Sequence, residues 1–192
     1  MRYATIIERI DQRIEHDNLP AAHRLLKYID RSDPGNTQVN ERMVATAEVV
    51  QDWIAQQKAL SALIFAASRD DDIEDLVFRF VKLLTEKMNQ PEEAVSMIRD
   101  HFKSFIKHPG SVAWAREHLV EGPHRQTLIN IAQSHIVHPL DSYQNIPIYN
   151  ALGTWYATKP GDYKCACKWY RIVLRLRPGD TDAIDGLIAL LQ

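Results

Sequence analysis

Apolar residues recur along this chain at the three- and four-residue spacings of a helix face, not in strand alternation. Ile6, Ile7, Ile10 and Ile14 make a first stripe over residues 3–16. Leu19, Ala22, Leu26 and Ile29 make a second over 19–31, and Pro34 closes the pair. The spacing then predicts one long helix over 37–56 with Met43, Val44, Ala47, Val50 and Ile54 inward, continued by Leu60, Leu63, Ile64 and Ala67. Residues 73–88 are apolar on two faces (Ile73, Leu76, Val77, Phe80 and Leu84, then Phe78 and Val81), as in a helix packed between neighbours. Pro91-Glu92-Glu93-Ala94 suits a helix start, with Pro in the first turn and acids at the positive end of the dipole. That helix reads as running on toward Pro109. Helical patterns follow over 111–121, 124–137 and 147–177. The last, over 181–191, has Ala183, Ile184, Leu187, Leu190 and Leu191 covering what precedes it.

The Pro/Gly pairs punctuate these runs from outside. Pro34-Gly35, Pro109-Gly110, Gly122-Pro123, Pro160-Gly161 and Pro178-Gly179 all fall between them. No β-branched run alternates over a strand length, and no Asn-Gly or Asp-Gly hairpin signal occurs. The expected fold class is all-α, with about ten to eleven helices.

The best-patterned stretch is 147–178. Leu152, Trp155 and Tyr156 share a face of its first helix, with Gly153 beside them. Tyr163, Ala166, Tyr170, Val173 and Leu174 form the buried stripe of its second. Small residues at Gly153 and Ala166 suit a close helix approach. Lys159-Pro160-Gly161-Asp162 is the expected turn, with Gly for positive φ and Asp to cap the next helix. Leu152-Gly153 with Tyr156, Gly161-Asp162-Tyr163, and Ala166, Tyr170, Val173 and Pro178 together resemble the tetratricopeptide repeat, a 34-residue helix-turn-helix family. The unit departs from that pattern by one extra residue at Lys159-Pro160 and by Tyr149 in place of a Trp. Residues 3–36 resemble a degenerate copy: Leu19, Ala22, Leu26, Ile29 and Pro34 keep the spacing, but Arg9 and Ile10 stand where Leu-Gly is expected.

The resemblance implies a right-handed solenoid of helix hairpins in a single domain over 1–192. Its parts are a first repeat (3–36), irregular hairpins (37–146), a full repeat (147–178) and a closing helix (179–192). It also implies a concave face made by first helices, carrying Asn150, Thr154 and Ala157 in the last full unit and Ile7, Asp11 and Ile14 in the first. Members that clamp an acidic C-terminus place Lys where this chain has Asn150 and Asn where it has Thr154, so that specificity is not implied.

Charge adds little. Lys and Arg number 23 against 25 Asp and Glu, a net charge of −2, so whole-chain electrostatics make no case for nucleic acid. The N-terminal stretch lacks the apolar run of a signal peptide, and no span approaches a membrane helix. Two cysteines, Cys165 and Cys167, make no disulfide framework. A cytoplasmic setting without membrane contact is expected.

Candidate chemistry is sparse. Cys165 and Cys167 stand two apart, which on a helix turns them to different sides. His135 and His138 have i, i+3 spacing for a shared metal, with Asp141 nearby, but lack a third ligand at helical spacing. Asp70, Asp71 and Asp72 open a helix and read as dipole partners, not cation ligands. No nucleophile elbow, phosphate-binding loop or dinucleotide fingerprint occurs. Neither catalysis nor a cofactor is expected. Lys164, Lys168, Arg171 and Arg175 fall at i, i+4, i+7 and i+11 on one helix, opposite Ala166, Tyr170 and Val173. Such a row meets an acidic protein surface or phosphates, so nucleic acid through 164–177 is a secondary possibility. The expected function is a non-catalytic scaffold — adaptor, assembly factor or chaperone — holding a peptide or helix of a partner protein. The alternatives are a peptide- or ligand-sensing regulator of a nucleic-acid machine, a structural subunit, and an enzyme on a helical array.

Overall fold

The computed structural model describes residues 4–67, 70–138 and 142–191, without the side chains of 4 and 70–72. Among the described residues the chain is all helical, with twelve α-helices and no strand. Contacts divide it into two compact units, Met1–Asn89 and Gln90–Gln192.

In the first unit α1 (Ala4–Glu15), α2 (Leu19–Asp30), α3 (Thr37–Val50), α4 (Trp53–Ala66) and α5 (Asp70–Lys82) each pack on the next in sequence. Short connections force this, because a helix cannot travel far from its neighbour on a link of two to six residues. Ile10, Leu26, Ile29, Val44, Leu60 and Val81 are among the core side chains. The expected long helix over 37–56 is instead two helices. Gln51 adopts a left-handed conformation at φ 59°, and Asp52 then caps α4 by accepting from the Ala55 N–H at 3.1 Å. The break turns Ile54 outward, 62 % exposed, where an inward position was expected.

Arg42 ties α3 to α1, donating from Nε and Nη2 to the two Asp11 oxygens at 2.6 and 2.8 Å. Beside it, buried His23 on α2 meets Thr46 Oγ1 on α3 at 3.2 Å and Asp52 Oδ2 at 3.1 Å, while Lys27 donates to the same Asp52 oxygen at 2.8 Å. The α5 helix ends in a π-turn, Leu83–Lys87.

The second unit is built around one helix. Its elements are α6 (Pro91–Asp100), α7 (Phe102–Lys107), α8 (Ser111–Ala115), α9 (Arg125–Ser134), α10 (Ile146–Tyr156), α11 (Tyr163–Leu176) and α12 (Thr181–Ala189). The run expected from Pro91 toward Pro109 breaks at His101 into α6 and α7. Helix α10 touches α7, α8, α9, α11 and α12. Its sequence explains why: seven residues, among them Ile148, Leu152 and Trp155, are buried on several faces, so no single neighbour satisfies it. Trp155 is fully buried and donates from Nε1 to the Val112 carbonyl at 3.2 Å.

The 160–162 turn differs from expectation in two ways. Gly110 is the one glycine at positive φ among the described residues, so Gly161 does not use that freedom. Asp162 makes no side-chain cap either. It accepts instead from buried Arg125 at 2.7 Å, and Arg125 also donates to Thr158 Oγ1 at 3.1 Å. Tyr163, expected in the buried stripe, is exposed, whereas Ala166, Tyr170 and Val173 are buried. On α12 only Ala183 is buried; Ile184 and Ile188 are exposed, as is Leu191 just past its end.

Candidate functional site

A groove of about 1000 Å³ lies within the second unit. Helices α7 and α8 form one side with Lys103, Ile106 and Val112; α12 contributes Asp182, Asp185 and Ala189. Helix α10 presents Ile146, Asn150 and Thr154, and Tyr170 reaches in from α11. These positions follow from helix periodicity: Ile146, Asn150 and Thr154 are spaced by four, one face of α10, while Ala151 and Trp155 turn into the core.

Two polar contacts shape the groove. Asn150 Nδ2 donates to Asp180 Oδ1 at 3.1 Å, and the same oxygen accepts from the Ala183 N–H at 3.1 Å. Asp180 thereby caps α12 and ties its start to α10. Asn150 Oδ1 is buried without a partner. The Tyr170 hydroxyl bonds Thr154 Oγ1 at 3.2 Å. Burial raises the Tyr170 pKa, partly opposed by that hydrogen bond and by the Arg116 charge, so the phenol keeps its proton near neutrality. The groove carries both signs: Lys103, Lys107 and Arg116 lie on α7 and just past α8, and Asp180, Asp182 and Asp185 lie on or beside α12 together with Arg177, which donates to Asp180 Oδ2 at 3.4 Å.

Of the residues singled out in sequence, Asn150 and Thr154 line this groove. Asp11 is in the first unit, its carboxylate held by Arg42, whose hydrogen bond lowers the Asp11 pKa. Lys164, Lys168, Arg171 and Arg175 are exposed on α11 and do not line the groove. Cys167 is half-buried and Cys165 exposed.

His135 lines the groove, its Nδ1 on the Ile131 carbonyl at 2.9 Å and its ring 4.7 Å from that of Phe102; His138 is exposed beyond it. Among the described residues no three His, Cys, Asp or Glu side chains gather as a metal site. Asp141 and the side chains of Asp70, Asp71 and Asp72 lie outside the described residues. The chain matches no family model and no curated protein.

The first unit holds a constellation that sequence reading missed. Thr46, His23 and Asp52 line up as hydroxyl, imidazole and carboxylate, the residue types of a nucleophilic triad. Access decides against that use. Thr46 is fully buried, and its hydroxyl donates to the Arg42 carbonyl at 2.9 Å, so no substrate reaches the oxygen. The set joins α2, α3 and the α4 cap. No sequence motif marked it, because its members are brought together by packing alone. No described helix is long and apolar enough to cross a membrane.

Proposed function

We propose that the second unit holds a peptide or helical segment of a partner protein in its groove, and that the chain acts as a non-catalytic scaffold: an adaptor, assembly factor or chaperone. The observation that carries this is the groove itself, about 1000 Å³, which combines apolar Ile106, Val112 and Ile146 with charged side chains of both signs. A surface of that kind buries the apolar side chains of a bound segment and orients it by its charges. The reading gains support from Asn150 and Thr154, which line the groove at the positions a tetratricopeptide-like first helix would use. Sequential packing of α1 through α5 is in keeping with a solenoid of hairpins, the architecture we propose with it.

The test is to fill the groove. Ala113 and Ala189 are exposed and line it, so Ala113→Trp and Ala189→Trp obstruct it without entering the core. Affinity capture from the native extract, quantified by mass spectrometry, should show a stoichiometric protein partner with the wild-type chain and its loss with both variants at unchanged melting temperature. Retention of the same partner by both variants would sink the proposal.

A second reading, a structural subunit of a larger assembly, is favoured by apolar side chains at the end of α12 and just past it, where Ile188 is 50 % and Leu191 87 % exposed. Two large aliphatic side chains so exposed within four residues are more usual at a contact than on a free surface. Size measurement of the Ile188→Ser/Leu191→Ser double variant within its native complex separates the two readings, because groove capture should survive it.

A further inference from the structure

We infer that the outer face of α11 is a second docking surface, and that its occupant is an acidic amphipathic helix of a partner protein. Lys164, Lys168, Arg171 and Arg175 are all exposed, and among the described residues none makes an ion pair. At 3.6 residues per turn they fall within about 60° of arc. Helix α11 contains no acidic residue, so nothing on it neutralises the row. A solvated helix face ordinarily alternates charge sign and forms i, i+4 pairs, as Asp75 and Arg79 do on α5. Four like charges in one stripe repel one another at a small cost in stability, which an anionic partner reverses.

Spacing selects the class of partner. Along the α11 axis the charges step by about 6, 4.5 and 6 Å, from a rise of 1.5 Å per residue. Carboxylates at i, i+4, i+7 and i+11 of another helix repeat the same three steps, so two such stripes match along their whole length. Phosphates along a strand are evenly spaced and do not follow that alternation.

Two further observations point away from nucleic acid. Trp169, which follows Lys168, stacks on buried Tyr149 at 5.3 Å between ring centroids and so does not stand free to receive a base. The chain's net charge of −2 supplies no long-range attraction for a polyanion, whereas a short acidic helix requires only the local match. None of the four cations lines the groove of the second unit, so this surface is independent of the function proposed above.

The full chain is titrated, by fluorescence anisotropy at physiological ionic strength, with two synthetic helical peptides of identical composition. One carries glutamates at i, i+4, i+7 and i+11; in the other they are distributed around the helix. The striped peptide should bind about tenfold or more tightly than the distributed one, since several matched exposed pairs each add a modest increment. Lys168→Glu/Arg171→Glu should abolish that preference, and a peptide with lysines at i+4 and i+7 between glutamates at i and i+11 should restore binding to the variant, because it again matches the row charge for charge. Both residues are exposed, and melting curves confirm that the variant folds. Equal affinity for the two peptides, or indifference to the charge reversal, overturns the inference. Duplex DNA or single-stranded RNA of equal charge displacing the striped peptide also overturns it, in favour of nucleic acid.

Discussion

The ring of Tyr170 occupies the space that a side chain on Gly186 would need. A Cβ built at Gly186 would lie 2.7 Å from the Tyr170 Cε2, and one at Gly153 would lie 2.5 Å from its Cε1. The ring is therefore clasped between α10 and α12, which brings α11 against both. It cannot yield to either side, because retreat from one glycine drives it into the other helix.

Gly153→Ala and Gly186→Ala should each destabilise the fold by about 1–3 kcal/mol, even though Ala favours a helix interior over Gly by about 1 kcal/mol. Urea melts in a double-mutant cycle test the cause. In a Tyr170→Ala background, itself weakened by its cavity, Gly186→Ala should become neutral or stabilising. An unchanged penalty there would mean that the ring is not the obstacle.

Arg125 and Asp162 supply a second test. Asn caps a helix as well as Asp does, so Asp162→Asn would be nearly silent if Asp162 served as a cap. As the partner of buried Arg125, it should cost about 1–3 kcal/mol on removal of the charge. Asp162→Asn made on top of Arg125→Met should then cost little in the same denaturation assay.

Gln51 bears on the α3–α4 break. A non-glycine residue at φ 59° carries a left-handed strain of about 1–2 kcal/mol, partly offset by glycine's larger loss of freedom on folding. Gln51→Gly should therefore stabilise by roughly 0.5–1 kcal/mol, read as a rise in melting temperature. A fall would show that the chain does not break there.

Asp52 gives a pH signature. The hydrogen bond from Lys27, with those from His23 and the Ala55 N–H, lowers its pKa from 3.8 to about 2 against the opposing effect of burial. A carboxylate depressed in the folded state stabilises at pH above its unfolded value, and that contribution fades as pH falls toward the folded value. For this partly exposed group it amounts to at most about 2 kcal/mol. The stability gap between wild type and Asp52→Asn should be full above pH 4 and close as pH falls to about 2. A gap constant across that window would remove Asp52 from the linkage.

Much of this fold is legible in the sequence itself. Ile10, Leu26, Val44, Leu60, Ala166, Tyr170 and Val173 are buried where a 3.6-residue period puts them, because periodicity is local and the backbone fixes it. The Pro/Gly pairs lie between α-helices for an equally local reason: past the first turn, a proline removes a helical hydrogen bond. Asn150 and Thr154 share a face of α10 because they are four residues apart, but the groove they line needs α7, α8 and α12, each placed by packing.

Long-range packing sets where elements end and which polar groups meet. Residues 37–56 carry one unbroken pattern, yet Gln51 and Asp52 divide it, since Asp52 gains Lys27 and His23 from α2 by turning there. Asp162 looked like a cap because local sequence is all that a cap requires; its partner Arg125 stands 37 residues away. The outward turn of Ile54 and Leu191 is likewise invisible to hydropathy, which ranks a side chain by its chemistry and not by what the fold leaves beside it. Local periodicity therefore determined the helices and most of their buried faces. Their breaks, the ion pairs between them and the groove came from long-range contacts, which no window of sequence contains.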